Sequence, residues 1–239
     1  MIESEAREAE PRGAAFDGVF AVIPAFNEGE AIRGVVAELA ALGVRVVVVD
    51  DGSADDTAEN ARAAGATVLR HEINRGQGAA LQTGISYGLE RGARFVVTFD
   101  ADGQHAAEDM PRLIEPLLRG EADIALGSRF LGGESSVPGS RRALLRAAVA
   151  FTLVTSGVRL TDAHNGLRAF SRRAASLLDL KLDRMAHASE IIDQIRRNGL
   201  RFVEVPVHVR YTEYSRRKGQ RSLAALRIAA DYLLGRLLG

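Results

Sequence analysis

The sequence predicts an α/β fold: one domain built on a mostly parallel β-sheet flanked by helices. Three observations lead there. Short apolar runs at 19–23, 44–49 and 95–99 are almost free of charge, the pattern of strands buried on both faces. Segments with helical spacing separate them, and strands alternating with helices pack as a parallel sheet covered on both sides. At 239 residues the chain is long enough for one full core, and no linker or internal repeat divides it.

Composition narrows the class. With 31 basic and 31 acidic residues the net charge is zero, so no overall field favours nucleic acid. Cysteine is absent, which removes disulfides and thiolate metal sites and fits a cytoplasmic protein. Residues 1–12 are acidic and polar, unlike a signal peptide. No stretch reaches the roughly 18 apolar residues of a membrane span.

Residues 1–17 are expected to form a flexible tail, 18–215 the folded domain, and 216–239 a basic loop with an amphipathic helix. The first strand, 19–23, ends at Pro24. A helix over 30–42 places Ile32, Val35, Val36 and Leu39 on one side, with Gly43 just past its end. The run 44–49 leads into Asp50-Asp51-Gly52-Ser53, and a helix over 55–64 takes Ser53 or Asp55 as cap. A short strand at 67–69, a helix at 77–88 and the strand at 95–99 follow. Beyond it the pattern predicts a helix at 110–118, a strand at 124–126, a loop at 132–139 and a largely helical 141–156. A helix at 189–197, a strand at 202–207 interrupted by Pro206, and a final helix at 222–238 complete it.

Ligands of such sheets bind beyond the carboxyl ends of the strands. Those ends carry Pro24-Ala25-Phe26-Asn27-Glu28, Asp50-Asp51-Gly52-Ser53 and Asp100-Ala101-Asp102, so three polar clusters converge on one edge. Taken alone, Asp100 and Asp102 read as a polar turn with Asp102-Gly103 at its tip. Held together at the end of a buried strand they repel each other, and a divalent cation relieves that cost; oxygen donors suit Mg²⁺ or Mn²⁺. Gln104 and His105 lie within reach of the same ion. The convergence favours this second reading.

Other groups are open to two readings each. Asn27 and Glu28 could hold a base or ribose, or Asn27 could cap a helix. Asp51 could accept from a ribose or base, or lie in a solvated turn. Arg75-Gly76-Gln77-Gly78-Ala79-Ala80 opens a helix with small residues suited to close backbone approach, but it completes neither a Walker A loop nor a dinucleotide fingerprint. Arg129, Arg141, Arg142 and Arg146 suit phosphate recognition or an exposed basic face. Asp162 and His164 could line a pocket. Glu190 and Asp193 share a helix face, either as acid–base groups or as acids favoured near a helix start. Arg216-Arg217-Lys218-Gly219-Gln220-Arg221 before an apolar-faced helix could sit on anionic membrane, form a homodimer face or cover the core.

Over roughly residues 18–222 these motifs resemble family 2 glycosyltransferases of the GT-A fold, which have a Rossmann-like sheet. The matching pieces are 22–28, 48–53, 75–80, 99–105, Gly127-Ser128-Arg129 and Asn165-Gly166-Leu167-Arg168. The nearest subgroup looks like dolichyl- or polyprenyl-phosphate sugar transferases and polysaccharide-biosynthesis enzymes of the cell envelope. Three departures stand out: Leu167 replaces the frequent Phe, the C-terminal residues hold no apolar run of membrane-span length, and 183–190 looks more like the soluble polysaccharide-biosynthesis branch. The resemblance implies that Pro24, Ala25, Asn27, Glu28, Asp51, Gly76, Ala79, Asp100 and Ala101 hold the nucleotide. It implies that Asp100, Asp102 and Gln104 bind the metal, and that Arg129 and Arg142 meet the acceptor phosphate. With a hydroxyl acceptor, Glu190 is the first candidate base and Asp162 the second; Asp102 and Arg129 complete the catalytic set.

The expected activity is inverting, metal-dependent transfer from a UDP- or GDP-linked sugar to a lipid-phosphate or glycan acceptor, at the inner face of the cell membrane. The rivals are a nucleotidyltransferase and an inactive nucleotide-sugar-binding protein.

Overall fold

The computed structural model describes residues 16–131, 146, 149–150, 152–154, 156–163, 165–181 and 186–210. Strands β1 (Val19–Ala25), β2 (Arg45–Asp50), β3 (Thr67–Arg70), β4 (Phe95–Thr98), β5 (Ile124–Ser128), β6 (Arg168–Ser171) and β7 (Phe202–Pro206) form one seven-stranded sheet. Helices α1 (Ile32–Ala40), α2 (Thr57–Ala63), α3 (Gln77–Glu90), α4 (Met110–Leu118), α5 (Arg172–Ser176) and α6 (Ala186–Arg197) accompany it. Residues 146, 149–150, 152–154 and 156 are also helical. Arg141, Arg142, His164, the loop 132–139, the segment 216–221 and the final helix at 222–238 lie outside the described residues.

The strand order is β3-β2-β1-β4-β6-β5-β7, and every pairing is parallel except the two made by β6. No strand is expected at 168–171 from the residue pattern. Ala169-Phe170 is too short an apolar run to announce one, and β6 is made by its two neighbours rather than by its own pattern. Because β6 runs backwards, its first residue, Arg168, pairs with Thr98 on one side and Leu126 on the other. The turn before β6 therefore reaches the edge where β4 and β5 end.

Strand alternation splits the core. Val19, Ala21 and Ile23 face Ile32, Val36 and Leu39 of α1 and Leu113 and Ile114 of α4. Phe20 and Val22 face Leu81 and Ile85 of α3 and Ile191, Ile192 and Ile195 of α6. Helix α3 contains three glycines, each costing about 1 kcal/mol of helix propensity. At Gly84 the reason is contact: a Cβ there would lie 2.3 Å from Val22 Cγ1.

One ion-pair cluster closes the far end of the sheet. Asp123, 6% exposed, accepts from Arg201 N–H at 3.0 Å and Arg201 Nε at 3.2 Å, with Arg173 Nη1 at 3.5 Å. Burial pushes its carboxyl up, but the Arg201 hydrogen bonds and the charges of Arg201 and Arg173 outweigh that and hold it below the ordinary aspartate value. A lowered folded pKa means stability present above the unfolded value and lost as pH falls through the folded one. Asp123→Asn is expected to cost about 1–2 kcal/mol at pH 7, because the arginine ends are more than half exposed and screened. The loss should shrink below about pH 4 in denaturant titrations; a pH-independent loss counts against the ionic cause.

Candidate active site

The carboxyl edge of the sheet is built by side chains that tie one loop to the next. Asn27 adopts φ 54, a left-handed conformation that Asn tolerates. Its N–H donates to Ser53 Oγ at 2.9 Å, and its Oδ1 accepts from Ala54 N–H at 2.9 Å. Glu28 N–H donates to Thr57 Oγ1 at 2.8 Å, and Asp50 Oδ1 accepts from Ser53 N–H at 2.9 Å. The loops after β1 and β2 thus form one unit, with Pro24 and Ala25 in the β1 end beneath it.

Asp51, buried, reaches the third loop. It accepts from Arg75 N–H at 2.9 Å and Gly76 N–H at 2.7 Å, and His71 Nδ1 lies 2.7 Å from Oδ1. His71 Nε2 contacts Thr83 Oγ1 at 3.0 Å. Gly76 has φ 90, a conformation that favours glycine, and α3 begins at the next residue, two before Ala79. Asp51 therefore fixes the start of α3. The sequence reading does not single out His71, though it stands directly past the carboxyl end of β3, where the same edge rule reaches.

Asp100 and Asp102 follow β4. Asp100 Oδ2 receives a hydrogen bond from His105 Nε2 at 2.9 Å, and Gln77 Nε2 stands 3.5 Å from Oδ1. Burial raises the Asp100 carboxyl, but His105, by hydrogen bond and charge, with His187 and Arg168 behind it, brings it below its ordinary value. Asp102 accepts from Gln104 N–H at 3.0 Å; burial and then the charge of Asp100 push its carboxyl up. Ala101 between them is buried.

The turn before β6 packs on this pair. A Cβ on Gly166 would lie 2.3–2.6 Å from the Asp100 carboxylate atoms, and Thr98 Oγ1 donates to Gly166 O at 2.7 Å. Arg168 is buried and donates to Asn165 O at 2.9 Å and Ala163 O at 3.2 Å. Burial brings its guanidinium down to about 10, while Asp100 and Asp162 act the other way. Asp162, also buried, accepts from Arg129 Nε at 2.6 Å and Arg129 N–H at 3.2 Å. Charges thus run from Asp100 through Arg168 and Asp162 to Arg129.

Glu190 of α6 accepts from Lys181 N–H at 3.1 Å through each oxygen. His187, one turn earlier on α6 and buried, acts electrostatically on Asp100. Sequence reasoning does not select it. A lone histidine in a helix carries no spacing signal, and only the docking of α6 brings it near. Arg142 lies outside the described residues.

Among the described residues no group of three or more His, Cys, Asp or Glu is placed to hold a metal ion. The donor set still fits Mg²⁺ or Mn²⁺, which are held by one or two carboxylates with substrate phosphates completing the shell. Asp102, kept up by burial and by its neighbour's charge, is the group such an ion would relieve.

This arrangement defines an α/β protein with a carboxylate pair at a topological switch point, the place where ligands of such sheets bind. The model of glycosyl transferase family 2 matches residues 20–178, and the chain belongs to that family of enzymes. A UDP-N-acetylglucosamine–dolichyl-phosphate N-acetylglucosaminyltransferase of Methanococcus voltae is 32% identical, covering 88% of this chain and 92% of that one. A polyprenol monophosphomannose synthase of Mycolicibacterium smegmatis is 34% identical over 78% of this chain and 75% of its own. Glucosyl-3-phosphoglycerate synthase of Mycobacterium tuberculosis, solved with Mn²⁺, UDP and glucosyl-3-phosphoglycerate, shares the fold. Its TM-score is 0.70 at 24% identity, over 96% of this chain and 84% of that one.

Proposed function

We propose that the enzyme moves a sugar, with inversion, from a UDP- or GDP-linked donor to a polyprenyl-phosphate acceptor. The observation behind this is the Asp100–Asp102 pair at the switch point, set against Gly166. Asp100, Asp102 and Gln104 would hold Mg²⁺ or Mn²⁺, and the ion would neutralise charge on the diphosphate leaving group. Pro24, Ala25, Asn27, Glu28, Asp51, Gly76 and Ala79 would frame the nucleotide. Arg129, with its guanidinium oriented by Asp162, would meet a phosphate.

A phosphate acceptor is favoured over a hydroxyl for a chemical reason. It is already an anion and needs no base, whereas Asp162 is engaged by Arg129 and Glu190 by Lys181 N–H. The named relatives include enzymes of dolichyl phosphate and polyprenol phosphate. Among the described residues no helix is long and apolar enough to cross a membrane. The reading places the chain peripherally on the inner face of the cell membrane, held through the basic segment 216–221 and the apolar-patterned sequence after it.

A thermal-shift panel of nucleoside-diphosphate sugars with Mn²⁺ or Mg²⁺ identifies the donor by its stabilisation of the native state. Incubation with that donor and a polyprenyl phosphate should then release nucleoside diphosphate. Conversion of that donor with added pyrophosphate into nucleoside triphosphate and sugar 1-phosphate would indicate a nucleotidyltransferase, and binding without turnover an inactive binder.

His71 supplies a donor-side prediction. His71→Ala removes the ring between Asp51 and Thr83 and loosens the Arg75–Gly76 turn. The donor KM is expected to rise about tenfold with kcat within about threefold, the pattern of lost ground-state binding. An unchanged donor KM would place His71 outside the site's support.

A further inference from the structure

We infer that Glu204, on β7, is the positioning residue that sets the Arg129 guanidinium, acting through the turn Thr161–Asp162. The inference rests on the reading that Arg129 meets a phosphate. Glu204 pairs with Leu126 in the parallel β5–β7 ladder, two residues before β5 ends at Ser128 and hands on to Arg129. Its side chain reaches the turn with an unusual number of contacts. Oε1 accepts from Thr161 N–H at 2.8 Å, Thr161 Oγ1 at 2.7 Å and Asp162 N–H at 3.2 Å; Oε2 accepts from Thr161 N–H at 3.0 Å. The turn is also pinned to β5, with Thr161 Oγ1 and Ser128 Oγ 2.7 Å apart. Asp162 then holds Arg129 at Nε and at N–H.

These contacts close a ring: β5 to Arg129, Arg129 to Asp162, the turn to Glu204, and β7 back to β5, where Val207 N–H donates to Ser128 O at 3.0 Å. The turn 161–163 has no ladder of its own, so its backbone donors need an outside acceptor. Glu204 supplies it from a strand paired along β5. A carboxylate here does more than pair charge, since all but one of its bonds fall on a single oxygen and an amide could replace it.

That last point makes the test. With donor and Mn²⁺ fixed and a polyprenyl phosphate varied, Glu204→Ala is expected to raise the acceptor KM about tenfold and leave the donor KM unchanged. Glu204→Gln should restore the acceptor KM to within about threefold of the native enzyme. In the Arg129→Ala background, Glu204→Ala should add little further loss, because both changes remove the same oriented group. A crystal structure of the Glu204→Ala chain should show Arg129 Nε displaced from its 2.6 Å contact with Asp162. Should Glu204→Ala fail to fold, Thr161→Val is read in its place, with the same direction and a smaller effect. An Arg129–Asp162 pair that stays in place, an unchanged acceptor KM, or losses that add fully with Arg129→Ala would each overturn the inference. Native enzyme that transfers to no phosphate acceptor would instead sink the phosphate reading, and the crystal structure would still decide the role of Glu204.

Discussion

Replacing Asp102 with Ala is expected to lower sugar transfer by roughly 10²–10³-fold, the loss seen when one preorganised electrostatic group is removed from an active site. The physical reason lies in how unevenly the pair is supported. Asp100 is held by His105 and approached by Gln77, and His105, His187 and Arg168 together bring its carboxyl down against burial. Asp102 has one backbone donor, Gln104 N–H, while burial and the charge of Asp100 push it up. Its ionised form is the costly one, and a bound cation would relieve that cost. Asp102→Asn sharpens the test: the amide oxygen keeps the Gln104 bond, and the like-charge repulsion disappears. The ligand-free variant should melt at or slightly above the native temperature, yet gain no stabilisation from Mn²⁺ with nucleoside diphosphate. Native-like turnover by either variant, or by native enzyme in chelator, would remove the metal from the mechanism.

The sequence makes the first half of this site easier to read than the second. Strands β1, β2 and β4 are continuous apolar runs in a regular β–α alternation, so the edge rule finds Asn27, Asp51 and Asp100 without side-chain information. Helix α4 is observed over the same residues the pattern predicts, 110–118, because its apolar spacing is strong. The pieces that escape are those made by tertiary contact. Strand β6 exists because β4 and β5 flank it, and its reversed direction is what carries Gly166 and Arg168 to the edge that bears Asp100 and Asp102. His71 and His187 are single residues in segments with no repeating spacing. Asp162 and Arg129 are both legible as candidates, but their pairing at 2.6 Å joins positions 33 apart and has no local signal.

Gly166→Ala is expected to be almost as damaging as losing a carboxylate, although it adds only one methyl group. Its Cβ would fall 2.3–2.6 Å from the Asp100 carboxylate, closer than side-chain carbons approach any atom, so something has to move. Neither side moves without breaking a contact. Gly166 O is held by Thr98, and Leu167 O, next in the chain, accepts from Gly127 N–H at 2.9 Å while sitting 2.7 Å from where a Gly127 Cβ would stand. Asp100 is held by His105, whose ring packs edge-on against Phe99. The least costly response is rotation of the Asp100 carboxylate away from the crevice. A displacement of about 1 Å at a reacting centre can cost around 10²-fold in rate, and overpacking of this kind costs about 1–3 kcal/mol in stability. Gly34→Ala is the matched control. It lies exposed on α1 with nothing within 4 Å of its Cβ, and should stabilise by about 0.5–1 kcal/mol with activity unchanged. The same substitution thus has opposite signs in two neighbourhoods, one open and one filled by a carboxylate. Gly166→Ala enzyme with native turnover and an unmoved Asp100 would show that the close approach has no part in holding the pair.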